Sequence, residues 1–350
     1  MSKTNKKSLA EIIILVLLIL CVTAALVYVI VSNYNSKSSF LTDEGLSKAY
    51  SSLLGKNIRS ISEEDLADIE FVTISPQYNE SYTQSINCIY LGKKGFLELS
   101  QKSDADQAEL EKYYKAFAID DLKIKSFDDL KYLTGVSELS IYQSDKISDI
   151  SFLKSMPNLK ILNLFITSGV TDYSVISELK NLEELAVNYN YISDISFLSG
   201  LTNLKTLNLS TNSIEDISVL SELSNLTSLD LSENEISDIT PVENLTSLTK
   251  LNISSNKLTD ISAISGLSLL EDLNLSYNSI SDITPISHLS NIKTISLRNN
   301  LISDVSALTK LDKDKIESIS LDGNESLKDW SSLEYLGDKV SGKPTEEEQN

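Results

Sequence analysis

From Val136 to about residue 335 the apolar residues return at fixed places along the chain. One copy reads Leu182-Glu-Glu-Leu185-Ala-Val187-Asn-Tyr-Asn190-Tyr-Ile192-Ser-Asp194-Ile195, and the next reads Leu204-Lys-Thr-Leu207-Asn-Leu209-Ser-Thr-Asn212-Ser-Ile214-Glu-Asp216-Ile217. Copies begin near 136, 159, 182, 204, 226, 248, 270, 292 and 316, which makes nine units spaced 22 to 24 residues apart. Positions 1, 4 and 6 are apolar and positions 3, 5 and 7 alternate outward, the mark of a short strand. A unit this small has too little apolar surface to fold alone, so neighbours must stack around one continuous core. The pattern predicts an α/β solenoid with a curved parallel sheet on its concave face and 3-10 or short helical turns on its convex face. An Asn column (Asn190, Asn212, Asn234, Asn256, Asn278, Asn300) turns inward after each strand, where its amide satisfies backbone groups of adjacent units. An Asp column (Asp194, Asp216, Asp238, Asp260, Asp282, Asp304) precedes each return segment and reads as a cap for its turn. A calcium ladder would bring glycine-rich turns, which are absent, so no metal is expected.

Ahead of the repeats, Ile12 to Val31 are apolar except for Thr23 and Tyr28. As a helix this run spans roughly 30 Å, a bilayer's hydrocarbon thickness. Lys3, Lys6 and Lys7 precede it and only Lys37 follows closely, so the positive-inside rule puts the N-terminus in the cytoplasm and the rest outside. The expected order is a cytoplasmic N-terminus at 1–8, a transmembrane signal-anchor helix at 9–31 and a linker at 32–39. Cleavage after Val22-Thr23-Ala24 and acylation of Cys21 are the rival readings. Residues 40–75 read as a helical cap ending in a strand at Ile69–Ile74, and repeat-like sequence resumes at about 124. The intervening insertion, 76–123, has no repeat signature: Ile86 to Leu99 reads as a hairpin around Gly92-Lys-Lys-Gly95, and Ser103 to Phe117 as a helix. Residues 336–350 read as a disordered acidic tail.

Composition narrows the chemistry. The 350 residues carry a formal net charge of −20, and 41% are hydrophobic, enough to bury a core. Such acidity argues against nucleic acid, whose phosphates it repels. A single histidine, His288, and two cysteines, Cys21 and Cys88, leave no zinc site of His/Cys type. A His-based triad would rest on His288 alone, which falls in a convex segment. Cys88 has no sequence-adjacent base to activate it; its redox state stays open. No enzyme and no cofactor are expected.

The unit pattern and its period match the leucine-rich repeat. Its Ile-Ser-Asp-Ile and Leu-Thr-Asn-Leu phrases resemble the internalin-type repeats of Gram-positive bacterial surface proteins. Leu46-Ser-Lys-Ala-Tyr50-Ser-Ser-Leu-Leu54-Gly-Lys, followed by Ile61-Ser-Glu-Glu-Asp-Leu66-Ala-Asp-Ile69, resembles that family's helical N-terminal cap. The resemblance covers about residues 40–75 and 124–335, and implies an extracytoplasmic protein that recognises a macromolecule through its concave face. Host-binding members commonly carry a C-terminal LPxTG wall signal. The stretch Gly342 to Asn350 has none, so anchorage is expected through the N-terminus. A linker of eight residues reaches at most about 28 Å, which keeps the solenoid near the membrane.

The register assigns the concave surface. Position 7 runs Tyr142, Phe165, Asn188, Ser210, Ser232, Ser254, Ser276, Arg298, Asp322, so its aromatics fall on the first two repeats. Ile161 at position 3, with Ile166 and Tyr189 at position 8, lies close by. Grouped exposed aromatics are what an interface anchor looks like. Whether the insertion covers this patch stays open. If it does, binding moves to the polar centre and C-terminal end, where Glu184, Asp230, Glu233, Lys250, Asp272, Tyr277 and Arg298 lie and Arg298 is placed to pair with Asp322. The expected ligand is a protein near the membrane. A cell-envelope structural or wall-glycan-binding component and a cytosolic repeat scaffold are the rival functions, and oligomeric state is not legible.

Overall fold

In the unit that starts at Leu226, the side chains of Leu226, Leu229, Leu231, Ile236, Ile239, Val242 and Leu245 are all buried. Each such side chain contributes about 1.5–3 kcal/mol once water is excluded. A lone unit cannot exclude it, because half of each side chain faces the next coil. The core is therefore one continuous column running from Leu41, just ahead of the cap helix, to Leu336.

The computed structural model describes residues 41–77, 86–93, 114–118, 126–142, 147–167 and 169–343. The strands are β1 (Ile69–Gln77), β2 (Ile86–Lys93), β3 (Tyr114–Ala118), β4 (Glu138–Tyr142), β5 (Ile161–Phe165), β6 (Glu184–Ala186), β7 (Thr206–Asn208), β8 (Ser228–Asp230), β9 (Lys250–Asn252), β10 (Asp272–Asn274), β11 (Thr294–Ser296), β12 (Ser318–Ser320) and β13 (Val340–Ser341). Among the described residues they form one 13-stranded sheet in the order β13 through β4, then β1, β2, β3. The pairings from β4 to β13 are parallel, and β1 joins β4 in parallel. The cap strand is thus the first strand of the solenoid.

Each return segment holds a 3-10 turn, such as Ser218–Glu222 or Thr240–Asn244, short enough to fit a 22-residue coil. The preceding Asp opens it. Asp216 Oδ1 accepts from Ser218 N at 2.8 Å, and the same bond recurs at Asp194, Asp238, Asp260, Asp282 and Asp304. The cap here is the first turn residue's own N–H, reached from two residues upstream. The Asn column joins coils. Asn234 Nδ2 donates to Leu209 O of the preceding unit at 3.0 Å, and its Oδ1 accepts from Ile214 N at 3.0 Å. A second set of asparagines precedes position 1 in several of the units: Asn181, Asn203, Asn225 and Asn291 donate to carbonyls of the previous coil at 2.8–2.9 Å.

Helices α1 (Glu44–Leu54) and α2 (Glu63–Leu66) close the N-terminal end. Leu46, Ala49, Tyr50 and Leu53 form the buried stripe of α1, at the spacing of one helix face. Asp43 caps α1 through Leu46 N at 2.8 Å and also accepts from Ser126 N at 3.0 Å. Fully buried Asp129 accepts from the Thr42 and Asp43 N–H groups, each at 2.7 Å. These two carboxylates tie the cap to the chain that returns from the insertion.

The structure corrects two expectations in the insertion. Both edges of β2 are occupied, by β1 and by β3, each antiparallel, so no hairpin with residues 96–99 forms over Cys88 to Gly92. The expected helix to Phe117 cannot stand either, because Tyr114–Ala118 is strand β3. At the other end, a 3-10 segment (Ser331–Lys339) and β13 lie where a tail from 336 is expected, with Trp330, Leu333 and Leu336 buried against the last coil. Residues 344–350 lie outside the described residues, as do the expected segments 1–8, 9–31 and 32–39. Among the described residues no helix is long and apolar enough to cross a membrane.

Candidate functional site

The concave surface is built from rows, one residue per strand. At position 7 the side chains of Tyr142 and Phe165 lie on paired strands with ring centroids 6.3 Å apart. Phe165 meets Tyr189 edge-on at 5.0 Å. Ile166, the residue after Phe165, is half-buried, as is Ile161 at the start of β5. The structure thus brings together four of the sequence-chosen residues, Tyr142, Phe165, Ile166 and Tyr189, at the N-terminal end of the sheet, and leaves Ile161 at the opposite end of strand β5. Tyr277 and Arg298 do not join them. They sit at the other end, where Tyr277 N donates to Arg298 O at 2.7 Å and Arg298 pairs with Asp322 at 3.1 Å.

Backbone geometry explains why the position-8 residues project. Ile166, Tyr189, Thr211, Glu233, Ser255, Tyr277 and Asn299 all have φ between 50° and 61°. Only asparagine enters this region readily among them. Bonds to the next coil hold the turn, as Tyr189 N to Ser210 O at 3.1 Å shows. The left-handed turn leaves Tyr189 at 42% exposure and Tyr277 at 58%. Sequence reasoning missed Tyr191, which is 82% exposed and also left-handed at φ 59°. The signal was its column: Ser213, Glu235, Lys257 and Ser279 hold the same place in later units.

Strands β8 to β12, which include those leading into Tyr277 and Arg298, line a shallow polar groove of about 350 Å³. Its floor is a series of prearranged pairs. Asp230 accepts from Ser232 N–H at 2.9 Å and from Asn252 Nδ2 at 3.2 Å, and Asn252 Oδ1 accepts from Ser254 Oγ at 2.8 Å. Lys250 stands 3.8 Å from Asp272. The N-terminal margin of the strands is an alternating ion-pair ladder. Glu183 bridges Lys205 at 2.6 Å and Lys160 at 3.1 Å, and Lys293 meets Glu271 at 2.6 Å. Bonds from Lys205 and then Lys160 hold the Glu183 carboxyl below the usual carboxylate range. Glu138 moves the other way: its half-buried carboxyl is pushed up by burial and then by Glu184. His288 is exposed in the convex turn Thr284–His288. Among the described residues no group of three or more His, Cys, Asp or Glu is arranged to hold a metal ion.

The family model for leucine-rich repeats in two copies matches residues 180–222, 224–266 and 268–310. Residues 180–310 of the chain are thus leucine-rich repeats. Its structural neighbours are internalin-like. Internalin C2 from Listeria monocytogenes is 27% identical with a TM-score of 0.53, over 73% of this chain and 93% of that one. A second Listeria monocytogenes internalin is 24% identical with a TM-score of 0.56, over 87% and 96%. A leucine-rich-repeat protein of Leptospira interrogans, 24% identical with a TM-score of 0.50 over 61% and 68%, shares the fold. No curated protein matches the sequence. Leucine-rich-repeat proteins generally mediate protein–protein interaction, and the matching family model is not a catalytic one.

Proposed function

We propose that this leucine-rich-repeat protein is a membrane-anchored, extracytoplasmic binding protein that takes a protein ligand on its concave face. The observation that carries the reading is the aromatic cluster of Tyr142, Phe165 and Tyr189, which stays partly exposed on the sheet instead of filling the core. Contiguous exposed aromatics are characteristic of interface anchors. The apolar run from Ile12 to Val31 behind three lysines supports the anchor and the N-in orientation. With so short a linker, the ligand is a membrane-proximal component of the same envelope rather than a distant host receptor.

The test is in-cell photocrosslinking with Phe165 replaced by a photoreactive aromatic. A discrete protein adduct supports the reading. Crosslinks confined to residues 76–123 of the same chain place the patch under the insertion and overturn it. Protease shaving of intact cells tests the location: slow, partial release fits a domain near the membrane, and rapid complete release does not. The polar groove over β8 to β12 favours one second reading, a wall-glycan-binding component. Loss of the adduct on treatment with wall hydrolases, and not with protease, distinguishes it.

A further inference from the structure

The sheet register places Glu138, Ile161 and Glu184 side by side on β4, β5 and β6. The two carboxylates are two strands apart, roughly 10 Å. They form no ion pair or hydrogen bond among the described residues, in contrast with their surroundings. Glu183, one residue away, is bridged by two lysines. Further along the concave face Asp272 has Lys250, Asp322 has Arg298, and Asp230 has Ser232 and Asn252. The uncompensated acids therefore lie on β4 and β6, and the exposed aromatics on β4, on β5 and in the turn that follows β6. Glu138 is also half-buried against β1, and its raised pKa is what a buried carboxylate shows when no cation answers it.

Along β4 and β5 the row of Glu138 and Ile161 precedes Tyr142 and Phe165 by four residues, about 13 Å, and Tyr189 follows Glu184 by five. Between them lie only Ser140, Asn163 and Ala186, which leave a shallow saddle. Resting on the protein-binding reading above, we propose that this saddle receives an extended protein segment with a basic side chain about four residues from an apolar anchor. The anchor packs on Tyr142, Phe165 and Tyr189. The basic group, arginine or lysine, inserts between Glu138 and Glu184, its aliphatic stem lying on Ile161.

The experiment is photocrosslinking from position 165 in the full chain in cells, with the partner's crosslinked peptide sequenced by mass spectrometry. The wild-type background is compared with Glu138→Gln/Glu184→Gln, whose near-isosteric changes are checked by thermal unfolding. The expected result is a crosslinked segment with Arg or Lys three to five residues from the crosslinked residue, and an adduct yield at least about tenfold lower in the double variant. An undiminished yield, or a segment without a basic residue, overturns this proposal while the protein-binding reading stands. Absence of any protein adduct in the wild-type background overturns both.

Discussion

Replacing Asn234 by alanine tests whether the asparagine column staples the coils together. The side chain is 8% exposed and makes four hydrogen bonds. Their loss is unequal. Leu209 O keeps a donor from Asn212, Leu231 O keeps one from Asn256, and Ser232 O keeps the Thr211 N–H. The Ile214 N–H keeps nothing, because Asn234 Oδ1 is its acceptor and the residue is fully buried. An orphaned buried donor costs about 1–3 kcal/mol, and the lost bonds add about 1. The expected destabilisation is about 3 kcal/mol. Lys257→Ala is the control, since it deletes the exposed 2.9 Å pair with Glu235 in the neighbouring coil. Its expected effect is a urea midpoint close to that of the natural chain, because water screens so exposed a pair. Urea unfolding followed by circular dichroism gives both numbers, and amide exchange at Ile214 locates the damage. A loss under about 1 kcal/mol with Ile214 still protected refutes the reasoning.

Three further outcomes follow from the same geometry. Gly92→Ala puts a Cβ 1.8 Å from Cε1 of the buried Phe71 ring, so it destabilises the chain by about 1–3 kcal/mol, part of which Phe71→Leu in the same chain restores; denaturant midpoints of the single and double variants check this. Asn225→Ala, in the second set of asparagines, removes an exposed 2.8 Å bond to Thr202 O, and water replaces the donor; its cost in the same unfolding assay is below about 1 kcal/mol, well short of Asn234→Ala. The carboxyls of Asp194 and Asp304 are held low by the backbone N–H of Ser196 and Ser306, and those of Asp238 and Asp282 by the hydroxyls of Thr240 and Thr284. Depressed folded-state values give stability that is present above the ordinary carboxylate pKa of 3.8 and lost as pH falls through the folded values. The gap in urea midpoint between the natural chain and Asp238→Asn/Asp282→Asn is therefore constant above about pH 5 and narrows as pH falls below 3.8.

What the sequence made legible is what the fold repeats. Strands β4 to β12 each begin two residues after a unit start read from the leucines, because nine stacked copies constrain the register nine times over. Single-copy elements lacked that support. The insertion's Leu110, Tyr113, Tyr114 and Phe117 follow helical spacing, yet Tyr114 to Ala118 pairs as β3: an open edge of β2 supplied five backbone partners that no local pattern announces. Strand β13 is two residues long and held by the β12 backbone, so it has no side-chain signature either. The aromatic cluster was legible because two strands' worth of register sufficed to align Tyr142 with Phe165. Its acidic flank was legible only in part: Glu184 was read as concave but grouped with the distant polar centre, and Glu138 went unread, because a lone Glu in a chain with 50 acids draws notice only once its neighbours are seen to be paired.

A repeat is also its own alignment, and one departure from it remains instructive. Tyr191 follows the column asparagine, where Ser213, Glu235, Lys257, Ser279 and Leu301 have ordinary negative φ. Tyr191 alone in that column, among the described residues, is left-handed, and it has 82% of its surface in water. A non-glycine residue there carries roughly 1–2 kcal/mol of strain, with no burial to offset it. Asparagine tolerates this conformation better. Tyr191→Asn should therefore raise stability by about 0.5–1 kcal/mol in urea unfolding and, if the aromatic surface is the docking face, lower the adduct yield from position 165. No gain in stability would show that the strain is absent. A gain with full adduct yield would remove Tyr191 from the interface and confine the anchor to Tyr142, Phe165 and Tyr189. A gain accompanied by a loss of adduct would mean that this coil holds an aromatic ring in water, at the expense of its own stability, for a surface the protein alone does not supply.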